Sequence, residues 1–198
     1  MATLADLPLG ATILIPEGTE ENRLYEVADK NNLVSGGVVL VRKNIYSESA
    51  FGSTVSYPDG TLDNLIKTTI YNQMPQQLRD KMMDVSFHLY GSGDITRKMF
   101  ALTYTMAGFG NNNGVAESEA LQLYTSNASR NKTFNGSATA WWLSSRLSSG
   151  RARFVSVSGS SGSSSSSNSH GVVPAFVIPA ETPYNATPNT DGSYNLIL

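Results

Sequence analysis

Two apolar blocks, Trp141-Trp142-Leu143 and Val172-Val173-Pro174-Ala175-Phe176-Val177-Ile178-Pro179, bracket an interior of small polar residues that ends in a nearly pure serine tract up to His170. Gly/Ser composition ordinarily marks a flexible linker between foldable units. The roughly thirty residues after His170 are too few for a core of their own, so the second apolar block must pack back onto the rest of the chain. The serine tract is then a loop or strand pair inside one domain, a permissive insert held by a buried frame. Trp141, Trp142, Pro174 and Phe176 are read as that frame. Substitutions within Ser156–Ser169 are expected to leave stability nearly unchanged.

A chain of 198 residues with 40% hydrophobic content suffices for one domain with a sizeable core. Residues 1–180 are read as that domain and 181–198 as a tail. Only 15% of residues are charged and the net charge is −2, so nothing draws the chain toward nucleic acid or an anionic membrane. With no cysteine, disulfides, thiol nucleophiles and thiolate metal sites are excluded. The N-terminus carries no basic head followed by an apolar run, and no stretch approaches the ~20 apolar residues of a membrane span. The expectation is a soluble protein made in a bacterial cytoplasm, without membrane insertion.

Taken in order, Leu9–Pro16 and Tyr25–Ala28 read as a first strand pair separated by a polar turn around Gly18–Asn22, and Val38–Val41 as a central strand. Thr61 is placed to cap a helix carrying Leu62, Leu65, Ile66, Thr69 and Ile70. Pro75 opens a second helix with Leu78, Met82 and Met83 inward, leaving Arg79, Asp80 and Lys81 on a solvated face. Met99–Thr103 is a buried segment, Gly108–Gly114 a loop, Glu117–Tyr124 a short helix with Ala120, Leu121 and Tyr124 inward, and Asn127–Gly136 a polar, basic connector. Strands, then two helices, then strands again predict an α+β domain with a mixed or antiparallel sheet whose last strands close onto the first.

Several chemistries lack their residues. Two histidines, His88 and His170, and no cysteine cannot furnish a zinc or non-haem iron site of the usual kind. No nucleophile elbow and no phosphate-cradling glycine motif occurs. Between Glu119 and Glu181 there is no carboxylate, while Arg130, Lys132, Arg146, Arg151 and Arg153 fall in that interval. A calcium-bridged sugar site or a two-carboxylate glycosidase site in this half is thereby disfavoured. No catalytic residue, metal site or cofactor is expected. The Asn-x-Ser/Thr triplets at Asn127, Asn131, Asn135 and Asn185 restate an Asn/Ser/Thr-rich composition.

The spacing of Gly36–Val41, Thr61–Tyr71, Ser126–Arg130, Asn135–Ala138, Trp141–Leu143 and Gly171–Phe176 resembles a bacterial and phage domain family of unknown function. That family has a C-type-lectin-like fold related to the formylglycine-generating-enzyme type. It occurs in gut phage tail proteins and in variable proteins of diversity-generating retroelements. The resemblance spans about residues 9 to 180, and the tryptophan pair and the Val-Pro-Ala-Phe strand are its most specific parts. The family usually reads Trp-Trp-Leu-Arg-Ser-Pro and Gly-Val-Arg-Pro-Ala-Phe, so Ser144, Arg146 and Val173 stand here where Arg, Pro and Arg are expected. Enzymes of this fold use paired cysteines or a histidine set absent from this chain, so the resemblance implies binding rather than that catalysis.

In retroelement variable proteins, miscopied adenines convert Asn codons to codons for Ser, Gly, His and others. Ser156–His170 contains only Ser, Val, Gly, Asn and His, all reachable in this way; drift of a low-complexity tract is the alternative origin. The resemblance thus implies a phage or phage-derived receptor-binding protein whose contact surface is Ser144–His170. Arg146, Arg151, Arg153 and His170 are its anchors, because small side chains bury little area and arginine is enriched at binding hot spots. Ser144, Ser148, Ser149, Ser156, Ser158 and Ser160 belong to that surface, as do Ser161, Ser163, Ser164, Ser165 and Asn168. The expected partner is a cell-surface or protein ligand, on a virion tail or a cell-surface display, with a possible homo-oligomer or attachment to a phage tail. A structural tail or fibre module is the rival reading, and an enzyme on the same fold a third.

Overall fold

The computed structural model describes residues 1–18 and 20–198, apart from the side chains of residues 20–22. The turn expected around Gly18–Asn22 therefore falls partly outside the described residues.

Fifteen strands are named among the described residues. Strands β1 (Thr12–Glu17), β2 (Glu20–Lys30) and β3 (Gly37–Arg42) come first, followed by the short β4 (Glu48–Ala50). The helical region follows. Strands β5 (Val85–Leu89), β6 (Gly93–Arg97) and β7 (Met99–Ala101) lead to a long irregular segment, after which β8 (Thr133–Phe134) and β9 (Ser137–Ala138) form a small hairpin. The C-terminal part holds β10 (Trp141–Ser148), β11 (Arg151–Val155), β12 (Ser161–Ser165), β13 (Ser169–Gly171), β14 (Pro174–Pro179) and β15 (Tyr194–Asn195).

Two sheets organise the α+β fold. The larger has the order β15-β1-β2-β3-β14-β7 and the smaller the order β12-β11-β10-β13-β4. All six residues of β3 are buried, as a β-branched run in an inner strand flanked by β2 and β14 should be. Strand β14 lies antiparallel between β3 and β7, pairing Phe176 with Leu40 and with Met99. Its prolines stand at its first and last positions, where a missing N–H costs the ladder least. Pro16 likewise sits at an irregularity in the β1–β2 register.

The tail does not hang free of this domain. Strand β15 pairs in parallel with β1, and Tyr184 packs edge-on against Tyr194 with ring centroids 5.1 Å apart. The expected boundary at residue 180 is therefore not a structural one: the last residues supply the outermost strand of the larger sheet.

The first helical region runs from α1 (Thr61–Asn64) through a π-helical stretch (Leu65–Ile70) into α2 (Tyr71–Gln73), and α3 (Gln76–Lys81) follows. Gly60, not Thr61, occupies the capping position. The start is held instead by Asp63, which accepts from the Asp59 N–H at 2.9 Å and is paired with Arg97 at 2.7 Å. Leu62, Ile66, Ile70 and Leu78 face the core, while Thr69 is exposed. Pro75 caps α3 rather than beginning it.

No helix forms over Glu117–Tyr124, and Ala120 is exposed. The N–H groups that would build its ladder are committed to distant acceptors. Leu121 donates to Met106 O, Gln122 to Asp29 Oδ1 and Leu123 to Ala28 O, at 3.0, 3.2 and 3.0 Å. The Asn127–Gly136 connector does contain a turn of helix, α4 (Asn127–Arg130), capped by the Ser126 side chain.

Three tyrosines tie the core to pH. Tyr25 donates to Glu17 at 2.7 Å, Tyr124 donates to Glu26 at 2.9 Å, and the Tyr57 oxygen accepts from the Ala101 N–H at 2.9 Å. Burial, reinforced by Glu17, Asp63 and Glu26 respectively, raises all three phenols above their ordinary value of 10.0. Their stabilisation is complete below that value and is lost as pH rises above it, each by up to ~1.4 kcal/mol per pH unit. Burial depresses the Lys132 ammonium from 10.5, which acts in the opposite sense up to that value but through one group against three. The melting temperature is expected to fall steeply above about pH 10, with phenolate absorbance of the buried three appearing only on unfolding. A flat profile there would contradict the burial.

Candidate functional site

The smaller sheet is built on the tryptophan pair. Consecutive strand residues point to opposite faces, yet both rings are fully buried, because the sheet is covered on each side at this point. Trp141 donates its indole N–H to Arg130 O at 3.0 Å and Trp142 to Ser49 O at 2.9 Å. Trp142 also packs edge-on to Phe51, Phe154 and His170, at centroid distances of 5.5, 6.4 and 4.5 Å. Pro174 and Phe176 are buried too, but in β14 of the larger sheet, where Phe176 packs against Tyr25 with ring centroids 5.2 Å apart.

From this frame β10 leads into the β11–β12 hairpin, whose register pairs Arg151 with Ser165, Arg153 with Ser163 and Val155 with Ser161. Arg151 and Arg153 thus share one face with Ser161, Ser163 and Ser165, while Ala152 on the other face is buried. Ser148 and Ser149 are exposed at the β10–β11 turn. Strand β12 is the open edge of its sheet. Hydrogen bonds from Ser166 N to Gly150 O and from Ser156 N to Ser160 O flank the hairpin. Bonded and non-bonded pairs alternate in an antiparallel ladder, so the backbone groups of Ser161, Ser163 and Ser165 point outward along the edge. Arg151 folds over that edge, donating from Nη2 to Ser163 O at 2.6 Å and from Nε to Ser163 Oγ at 3.2 Å, a protection against strand-to-strand association.

Beneath this face lies a polar hub outside the carboxylate-free interval. Glu117 is fully buried and accepts from Tyr90 N at 3.1 Å, from Asn112 Nδ2 at 3.0 Å and from the Ser145 hydroxyl. Asn112 also donates to Arg146 O at 2.8 Å and accepts from Arg153 Nε at 3.0 Å. The Arg153 guanidinium lies 4.5 Å over the Tyr104 ring, and Tyr104 reaches Ser161 Oγ at 3.4 Å. Arg153 is consequently a preset side chain rather than a free one. The sequence signal for this hub was weak: Asn112 sits in the Gly108–Gly114 loop and Glu117 opens the segment expected to be helical, and only folding brings them together with Ser145 of β10.

Several expected contact residues lie elsewhere. Ser144 is buried, its Oγ without a partner among the described residues, and Ser164 is buried, its Oγ accepting from Asn168 at 2.8 Å; both support the sheet and neither belongs to a contact surface. His170 is half-buried rather than exposed. Its ring stacks on Phe154 at 4.7 Å, its Nε2 has no partner among the described residues, and burial pulls its pKa below 6.5. Arg146 is also half-buried, and its Nε has no partner among the described residues. Ser156, Ser158 and Ser160 satisfy one another through a trio of hydroxyl contacts at 2.8 to 3.1 Å.

The uniform tolerance expected across Ser156–Ser169 does not hold. Gly159 has a φ of +78° and a Cβ there would lie 1.9 Å from Asn127 O, while a Cβ on Gly162 would lie 2.5 Å from the Phe154 ring. Ser164 and Ser166 are buried. Permissive positions are confined to the exposed ones, among them Ser158, Ser161, Ser167 and Ser169.

Two of the five basic residues of this half are structural. Arg130 is buried against the carbonyls of Ala107, Gly108 and Tyr124, and Lys132 is buried against Glu26. On the β5–β6 hairpin, His88 Nδ1 meets Asp94 at 2.8 Å, but the Ser86 hydroxyl pairs with Thr96 at 2.8 Å. The nucleophile-to-base contact of a hydrolytic triad is not made there. Among the described residues no helix is long and apolar enough to cross a membrane.

Residues 35–180, more than half of the chain, match the model of a family described as a domain of unknown function, DUF6273, and the chain belongs to that family. No curated protein and no solved structure matches it significantly.

Proposed function

We propose that this DUF6273 member is a ligand-binding protein of phage or phage-derived origin, and not an enzyme, in which a C-type-lectin-like scaffold presents the β11–β12 hairpin to a cell-surface or protein receptor. The observation that carries the reading is the shared outward face of Arg151, Arg153, Ser161, Ser163 and Ser165 over a buried tryptophan frame. Such an arrangement separates residues that hold the fold from residues that can vary. An adenine-directed origin of the serines would account for that separation, the alternative being drift of a low-complexity tract.

Binding energy on this face falls to Arg151, Arg153 and the Tyr104 ring, since aromatic and arginine side chains dominate hot spots. Asn112 and Tyr104 hold Arg153 in place, which lowers its ordering cost on binding. Recognition is expected to need no calcium and to weaken with salt, because the Debye length shrinks from about 10 Å at 0.1 M to about 3 Å at 1 M. The check is binding of labelled protein to a panel of bacterial cells and their surface extracts, with chelator, across an ionic-strength series, for the parent and for Arg151→Ala with Arg153→Ala. Loss on chelation would overturn metal-free recognition. A double variant that binds like the parent would remove the arginines from the site.

The open β12 edge favours a second reading, a structural module that pairs edge to edge in an oligomer. Light scattering decides: a concentration-independent oligomer with protected Ser161, Ser163 and Ser165 amides supports assembly, and a monomer supports the receptor-binding reading.

A further inference from the structure

His170 sits where the buried tryptophan frame meets the β11–β12 hairpin. Its ring packs edge-on to Trp142 with centroids 4.5 Å apart and stacks on Phe154 at 4.7 Å with an interplanar angle of 24°. Phe154 in turn presses on β12: a Cβ built on Gly162 would lie 2.5 Å from the Phe154 ring, so the strand runs against that ring with no side chain between them. Strand β13, which carries His170, is thinly held. It pairs with β10 at the single position Trp141–Gly171 and with β4 over three residues, His170 opposite Ser49. A chain of contacts thus leads from the imidazole through Phe154 to the backbone of Gly162, between Ser161 and Ser163 of the outward face.

The packed imidazole suits the neutral state. Its Nε2 is buried and has no hydrogen-bond partner among the described residues. An unprotonated Nε2 leaves one lone pair unused there, whereas an imidazolium would bury a cationic N–H with no acceptor, which costs more.

The charged groups around the ring do not reverse this. Glu48, on the strand paired with β13, favours the protonated form, but burial outweighs it and holds the pKa below 6.5. Strands β10, β11 and β12 bring no carboxylate. Their cations are Arg146, paired in register with Ala152, and Arg151 and Arg153, which project from the opposite face; all three disfavour a further positive charge. The turn from β12 into β13 and the segment around Phe51 are uncharged.

We propose that His170 is an acid-sensitive latch on the hairpin: protonation expels the ring from its stack, removes the support of Phe154 and loosens β12 and β13. The latch rests on the receptor-binding reading for its consequence alone, weaker receptor binding in a mildly acidic medium. Histidine is the side chain whose ordinary titration lies between about pH 5 and 8. Released to solvent, the ring takes up its proton near pH 6.5, and in the stack only at lower pH. The stacked state is therefore fully favoured above 6.5 and loses ground as pH falls below it, by up to about tenfold in the opening equilibrium per pH unit.

The test is NMR of the full chain between about pH 7.5 and about pH 5, following the His170 ring, the amides of β12 and β13, and their exchange corrected for its intrinsic pH dependence. The Gly162 and Ser163 amides are expected to shift with the midpoint of the His170 ring. Opening of β12 should increase by up to about tenfold per pH unit below 6.5, while β3 and β14 stay protected. His170→Phe keeps an aromatic ring in the stack without a titrating group and should abolish both responses. If it fails to fold, His88→Gln serves in its place: with the other histidine of the chain removed, the β12 response should be unchanged. A β12 response that is absent while His170 titrates, that persists in His170→Phe or that disappears in His88→Gln would each overturn the latch. None of these readouts involves a receptor, so their failure leaves the receptor-binding reading standing. A β12 response with unchanged cell binding at about pH 5.5 would support the latch and count against the hairpin as the receptor face.

Discussion

Trp142→Ala is expected to lower the unfolding free energy by about 3–5 kcal/mol, a large part of the ~5–15 kcal/mol that holds a domain of ordinary stability. The indole is fully buried among Phe51, Phe154 and His170. Truncation opens a cavity and leaves Ser49 O without its donor. Trp141→Ala should cost a similar amount, since it too is fully buried and donates to Arg130 O. The two should differ in consequence. Loss of Trp142 also removes the support for the Phe154–His170 stack and should increase amide exchange in β12 and β13. Chemical denaturation of both variants is the measurement, and melting like the parent would place the rings outside the core.

Glu117→Ala is the second large effect, at about 3 kcal/mol or more. The change leaves the Tyr90 N–H, one Asn112 amide N–H and the Ser145 hydroxyl without their acceptor, and each buried unsatisfied group costs about 1–3 kcal/mol. Ser145→Ala removes one partner and should cost about 1.5 kcal/mol or less. Because Asn112 orients Arg153, Glu117→Ala should weaken receptor binding beyond its effect on folding, whereas Ser145→Ala should not. Receptor binding that stays at the parental level in a folded Glu117→Ala protein would show that the hub does not preset the hairpin face. Equal unfolding free energies for Glu117→Ala and the parent would remove the hub from the stability account.

Much of the strand framework was legible in the residues. The β-branched run Val38–Val41 marked a central strand, and the size of the segment after the serines required Val172–Ile178 to return to the domain; both lie side by side in the larger sheet. A short continuous apolar run carries that information, and it needs no knowledge of the partner. Helix ends were less legible, because Gly60 caps where Thr61 was expected and Asp63 is held by an arginine 34 residues away.

What no local pattern contained was the commitment of polar groups to distant ones. Glu117–Tyr124 has a helical composition but spends its N–H groups on Met106, Asp29 and Ala28, so long-range bonds displaced the helix. The serine tract reads as uniform, yet Gly159 and Gly162 are pressed against Asn127 and Phe154 while Ser164 is buried. Composition determined that this insert is polar, uncharged and inside one domain. Only tertiary packing decided which of its serines face solvent, that Arg151 and Arg153 are already engaged, and that a carboxylate lies beneath them, because each of those outcomes depends on which remote atoms close the hydrogen bonds that burial demands.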